Sequence, residues 1–219
     1  DNVKKFLEDN APLDVIRNIS KGENPNQKNE IHSGIINLGI NNILVPEEHG
    51  GLGLDLLFAT AISQSIGGAV APLPYCGSYV MAPIAIQIGA SKSQKENIFN
   101  EMSSSNIKFG IAFSEYFGSR DSSSINFSNE KINGKTIFAI DCDYATDVLV
   151  SDATGKIGIV SIEDKNIEIV DLITVDKTRT YKEIKFSNAN VEILENTKKN
   201  TDAIEKALDA GRIITAADT

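Results

Sequence analysis

Cysteine and histidine are scarce in this chain of 219 residues, with two of each. Cys76 and Cys142 are far apart in sequence, which argues against a disulfide framework, and two scattered histidines add too little for a metal centre. His32 and His49 alone would have to carry any histidine chemistry. Long basic runs are missing too. The formal net charge is −9, with 21 basic against 30 acidic side chains. A chain that acidic, without clustered Lys or Arg, is a poor ligand for nucleic acid. No uninterrupted apolar stretch approaches the ~20 residues that span a bilayer. The opening Asp1-Asn2-Val3-Lys4-Lys5 does not read as a signal peptide, so a cytoplasmic, reducing setting is expected. Glycines at Gly50-Gly51-Leu52-Gly53 do not have dinucleotide-fold spacing, and no phosphate loop ending in Gly-Lys-Ser/Thr exists. There are no repeats and no low-complexity tract.

What is present has two different periods. Up to about residue 105 the signals are helical. Asn24-Pro25-Asn26-Gln27 reads as an N-cap, a proline at the first helical position and a glutamine at the third. Ile31, Ile35 and Leu38 then recur on one face up to Gly39. Asp55 is placed to cap Leu56 to Ile66, which is apolar on most sides and therefore expected inside a core. Pro74 to Gly89 is mostly apolar. Ser91 with Gln94 forms a capping box ahead of Ile98, Phe99 and Met102. From Lys108 the segments shorten: 125–129, 136–140, 148–151, 157–162, 167–170 and 182–186 are rich in branched and aromatic residues. Asn133-Gly134 and Asn188-Ala189-Asn190 are among the turn signals between them. After Asn200 the helical period returns, with Ile204, Ala207, Leu208, Gly211 and Ile214 on one stripe.

The expected class is α+β and multidomain. A helical N-terminal domain spans 1–107, an antiparallel β-barrel or sandwich spans 108–197, and 198–219 is the first helix of a C-terminal helical bundle that the chain enters without completing.

Five stretches, in order, resemble the flavin-dependent acyl-CoA dehydrogenases. Leu38-Gly39-Ile40 through Val45-Pro46-Glu47-Glu48-His49-Gly50-Gly51-Leu52-Gly53 is similar to the family's LG…PEE-GG-G loop. Gly89-Ala90-Ser91 with Gln94-Lys95 resembles a helix start of the family. Gly110-Ile111-Ala112-Phe113-Ser114-Glu115, followed by Asp121, is similar to the segment entering the β-domain. Ile132-Asn133-Gly134-Lys135 to Ala145 resembles a strand pair that carries a Trp-Ile-Thr triplet in the family. Asp176-Lys177-Thr178-Arg179 to Phe186 is similar to the late strands. Arg212 with Ala216-Ala217 resembles the opening helix of the C-terminal domain.

The resemblance implies FAD as cofactor, an acyl-CoA thioester as substrate and α,β-desaturation as the reaction. It also implies an electron-transfer flavoprotein as acceptor and a homo- or hetero-oligomer, dimer or tetramer. Ile111, Phe113, Ser114, Ser119, Arg120, Phe138 and Ile140 fall on cofactor-binding positions of the family. Ser114 stands at the flavin-bonding threonine, Phe138 at the tryptophan and Ile140 at the second threonine, where it offers no donor. Ser119 and Arg120 replace a glycine and a serine, and a proline is missing at Tyr116. These departures are similar to the small subunits of two-component members. No catalytic base is assigned; the family places it in the C-terminal bundle.

The same residues have plainer readings. Phe138 and Ile140 alternate on a strand as core residues do. Ser114 suits a strand-end hydroxyl bonded to local backbone. Arg120 beside Asp121 suits a surface ion pair. His49 and the glycines around it suit a shaped loop rather than a catalytic one. The alternative to an enzyme is a catalytically silent scaffold subunit of a heteromeric dehydrogenase.

Overall fold

The computed structural model describes residues 2–118 and 124–219. It opens with α1 (Asn2–Asn10), α2 (Leu13–Ser20), α3 (Pro25–Asn37) and α4 (Leu56–Gly68). A π-helical turn, Tyr75–Met81, runs into α5 (Ala82–Gly89), and α6 (Lys92–Ser103) follows. Two start signals act as the sequence indicates. Ser91 and Gln94 form a reciprocal capping box. The Asp55 carboxylate accepts from the amides of Leu57 and Phe58. Such caps each contribute about 1 kcal/mol. Asn24 behaves differently: it sits at φ 52° and makes no side-chain cap. Its carbonyl, not its amide side chain, accepts from the Gln27 N–H at 3.0 Å.

The strands are β1 (Phe109–Ala112), β2 (Asn126–Ser128), β3 (Lys131–Ile140), β4 (Asp147–Ser151), β5 (Ile157–Ser161), β6 (Ile167–Asp171), β7 (Tyr181–Asn190) and β8 (Glu192–Ile193). They form one sheet in the order β6-β7-β3-β1-β4-β5-β8, with β2 beside β3. The α+β class holds, but the expected antiparallel barrel becomes a mixed, open sheet. Among the described residues no pairing joins β6 to β8. β1 and β4 run parallel, with Phe109 opposite Asp147 and Ala112 opposite Val150. The reason is topological. β3 and β4 are joined by a short connection and run in opposite directions, and β1 lies between them. β1 is antiparallel to β3, through Ile111 opposite Ile140, and is therefore parallel to β4.

Every residue of β1 is buried. Phe109 and Ile111 pack toward the helices, while Ala112 faces the interior of the curled sheet. A strand covered on both faces has no polar alternation to betray it; the sequence marks only its end, at Ser114, and gives no segment for it. Asn133-Gly134 is not the turn its composition suggests. The turn is Asn129-Glu130, both at positive φ (50° and 58°), directly between paired Ser128 and Lys131. That is the geometry of a two-residue hairpin. Gly134 lies inside β3, where a Cβ would come within 2.3 Å of the Ser124 carbonyl oxygen. The glycine there serves close backbone approach.

The final helix, α7 (Asn200–Ala217), joins two of the three cores. Ala203, Ile204 and Ala207 pack with α5, α6 and the outer face of the sheet. Ala210 and Ile214 pack with α1, α3 and α4. Its apolar stripe is the one read from the sequence. Its start is not capped by Asp202, which lies inside the first turn; Lys199 holds the cap position without a side-chain bond.

Candidate functional site

The ends of β1 and β3 bring five of the seven cofactor-position residues onto neighbouring positions. Ile111 and Phe113 are buried in the core between sheet and helices, so any ligand contact from them is through backbone. Ile140 is partly buried against the same core. The Ser114 hydroxyl lies 2.9 Å from that of Thr136, a fully buried neighbour absent from the sequence reading. One hydroxyl of such a pair donates inward and leaves the other's proton for an outside partner. Glu115, next in sequence, is buried, and among the described residues its Oε2 has no hydrogen-bond partner. Ser119 and Arg120 lie outside the described residues.

Phe138 is the unusual member. The β3–β7 register breaks between Thr136 and Ala139, and Phe138 sits in that break at φ 58° with half of its surface exposed. A bulky residue in the left-handed region costs on the order of 1–2 kcal/mol and is usually tied to a function. Here the strain turns an aromatic face outward. An exposed ring two residues along β3 from the Thr136–Ser114 hydroxyl pair suits a flat, hydrogen-bonding heteroaromatic such as the flavin ring, although Ile140 supplies no second donor.

A cleft of about 530 Å³ opens beside Ile140. The end of α4, the π-helical turn, the loop before β7 and the end of α7 enclose it. Asp141, at φ 58°, closes its floor: Oδ2 accepts from the backbone amides of Gly77 at 2.5 Å and Ser78 at 3.3 Å. A Cβ on Gly77 would lie 2.9 Å from that oxygen, so a glycine is needed for the carboxylate to reach the amides. Cys76 lines the cleft near Thr215 of α7, and burial pushes its thiol up to about 12, leaving it neutral. Arg179 crosses the cleft to pair with Asp218 and, at 3.9 Å, with Asp176. Asp141 and Thr215 were not singled out from sequence, and Cys76 was read there only as one of two free cysteines. Asp141 had one signal, its place directly after the aromatic-led strand end that carries Phe138 and Ile140.

Two buried groups near the cleft titrate in opposite senses. Burial, helped by Lys108 and Lys28, lowers His32 to about 4. Its Nε2 is 2.6 Å from the Tyr79 hydroxyl, and its ring stacks on Tyr144 at 3.9 Å. Burial raises Asp141 to about 6, against the pull of the Gly77 and Ser78 amides and Arg179. Between pH 6.5 and about 4 the unfolded chain binds a proton at His32 that the folded chain refuses. Acidification through that window therefore destabilises, by on the order of 3 kcal/mol. Between about 6 and 3.8 the folded chain holds a proton on Asp141 that the unfolded chain has released. Acidification there stabilises by a similar amount. These two contributions nearly cancel in the wild type. Asp141→Asn removes one of them, and the variant is expected to lose stability steeply from pH 6 to pH 4 in urea titrations. A variant as flat as the wild type would contradict the assignment.

His49 packs on Phe99 with ring centroids 5.5 Å apart, and the surrounding loop is folded on its own backbone. The Gly51, Gly53 and Leu54 amides donate to the carbonyls of Pro46, Val45 and Ile43. The glycines shape a turn. Among the described residues no group of three or more His, Cys, Asp or Glu is arranged to hold a metal, and no helix is long and apolar enough to cross a membrane.

A helical segment, a curled mixed sheet and a returning helix around one cleft define the acyl-CoA dehydrogenase type of fold. Residues 1–106 match the family model for the acyl-CoA dehydrogenase N-terminal domain. The ChsE4-ChsE5 complex from Mycobacterium tuberculosis is similar with a TM-score of 0.79 at 17% identity, covering 99% of this chain and 60% of that one. An acyl-CoA dehydrogenase complexed with FAD from Bacillus anthracis gives 0.78 at 15% identity, covering 99% and 40%. Butyryl-CoA dehydrogenase from Megasphaera elsdenii gives 0.72 at 17% identity, covering 99% and 63%. No curated protein matches the sequence at a significant level. Residues 1–106 thus carry the acyl-CoA dehydrogenase N-terminal domain, and the chain as a whole shares the fold of these solved structures. It spans less than two thirds of the length of these relatives.

Proposed function

We propose that this chain supplies flavin-facing and acyl-facing surfaces of an FAD-dependent acyl-CoA dehydrogenase. The observation that carries this reading is Phe138, whose outward aromatic face stands two residues before Ile140, a lining residue of the cleft enclosed by four segments. Flavin, when bound, accepts the hydride lost from the β-carbon of a thioester. Phe138 would lie against its ring, and the Ser114 hydroxyl, braced by Thr136, would bond its polar edge. The buried apolar side chains of Ile111 and Phe113 hold the end of β1 rigid behind it. The Arg120 side chain, with its planar fork, suits a phosphate of the cofactor or of CoA, and Ser119 adjoins it. No residue here is assigned the proton-accepting base; in this reading a partner subunit or a further domain brings that carboxylate. Electrons would leave to an electron-transfer flavoprotein. The division 1–107, 108–197 and 198–219 belongs to the same proposal, with α7 as the hinge between the units.

Expression alone and with the product of its neighbouring gene tests the reading. One of the two preparations is expected to show the flavin band near ~450 nm and to bleach with an acyl-CoA. Colourless protein in both, with an intact complex, would instead favour the silent scaffold. Ile140 in place of a donor is the observation on that side.

A further inference from the structure

The charge pattern of the cleft selects among ligands. Three aspartates, Asp141, Asp176 and Asp218, face one arginine across it. Arg179 is spent on Asp176 and Asp218. Among the described residues, Asp141 is thus the acid of the cleft that no cation pairs directly. Its Oδ2 is used by two backbone amides, and among the described residues its Oδ1 has no hydrogen-bond partner. Asp143, next but one, has its own cations, Lys28 at 2.7 Å and Lys182 at 2.8 Å, so neither lysine is free to serve Asp141. The rest of the wall is short and mixed: Val70, Cys76 and Ile140 are apolar, and the Thr215 hydroxyl already donates to the Gly211 carbonyl at 2.8 Å.

A plain hydrocarbon would leave the free carboxylate oxygen desolvated and unpaired, which costs more than its apolar contacts return. An anionic group would meet an excess of negative charge. A compact ammonium on a short apolar chain satisfies both parts of the wall. We propose that this cleft binds a cationic amine through Asp141, and, resting on the desaturase reading above, that its acyl substrates carry an amino group rather than an unsubstituted chain. Asp141 is a specificity-determining residue in this scheme and takes no part in bond breaking.

The test uses the full chain without flavin, followed by amide NMR at pH 7.5, where Asp141 is ionised. The probes are butylammonium, pentanol and butyrate. Butylammonium is expected to saturate and to shift the amides of Gly77, Ser78, Asp141 and Thr215, with pentanol and butyrate weaker by about tenfold or more. Asp141→Asn keeps an oxygen acceptor for Gly77 and Ser78 and so keeps the fold. It is expected to weaken butylammonium by about tenfold and to leave pentanol unchanged. Asp9→Asn, at an exposed carboxylate of α1 outside the cleft, is the control and is expected to change affinity little. Equal binding of pentanol and butylammonium, an unaffected Asp141→Asn, or no saturation by any probe would each overturn the proposal. Because no flavin enters the measurement, its failure is distinct from failure of the desaturase reading, which is read at the flavin band.

Discussion

Gly51→Ala is expected to cost about 3 kcal/mol or more of folding stability, a large share of what a domain has. The reason is backbone against backbone. A Cβ at Gly51 would lie 2.0 Å from the Val45 carbonyl oxygen and 2.4 Å from its carbon. Val45 cannot retreat: it is fully buried, and its carbonyl accepts from Gly53 at 2.9 Å. The neighbouring loop is pinned as well, with Leu52 donating to Asn42 at 2.9 Å. Gly22→Ala is the informative comparison. Gly22 has φ 78° and nothing within 4 Å of a Cβ, so only the left-handed conformation is penalised, by about 1 kcal/mol. Urea midpoints of the two variants are expected to fall in that order. A Gly51→Ala protein within about 1 kcal/mol of wild type would show that the loop can open.

Phe138→Gly is expected to weaken cofactor binding without a loss of stability. Glycine relieves the left-handed strain at φ 58°, and half of the lost ring surface was already exposed. Relief of that strain is worth about 1–2 kcal/mol against about 1 kcal/mol for the buried half of the ring, so stability should hold or rise slightly. Flavin affinity of the assembled protein should fall by roughly tenfold, the worth of one aromatic contact of about 1.4 kcal/mol. Adding Ser114→Ala removes a hydrogen bond of about 1 kcal/mol and should deepen the loss. The readouts are the melting temperature and flavin bound per chain. Lower stability with unchanged flavin would make Phe138 an ordinary packing residue and remove the strongest support for the site.

How legible the site was depends on which residues are compared. Phe138 and Ser114 were proposed by motif position, and the roles expected of them followed from the resemblance alone. Their surroundings could not. Thr136, which braces Ser114, carries no motif of its own. Asp141 and Cys76 meet only because β3 ends against the π-helical turn, across a separation of 65 positions. Arg179 was visible within a late motif, but not its ion pair with Asp218 at the end of α7.

Local sequence was enough for the order of the helical and strand-rich parts, the Ser91 and Asp55 caps and the stripe of α7. These rest on local chemistry: periodicity, capping side chains and turn residues act over a few positions. Tertiary structure alone decided that β1 is a central strand, that β1 and β4 run parallel, and that Gly134 serves close approach instead of a turn. It also decided that the Asp141 carboxylate, held by two backbone amides and without an ion-pair partner among the described residues, faces a cleft. Each of these depends on which distant segment covers a given backbone or side chain. Burial on both faces erases the alternation from which strands are read, and a charge declares itself unpaired only once its neighbours in space are known.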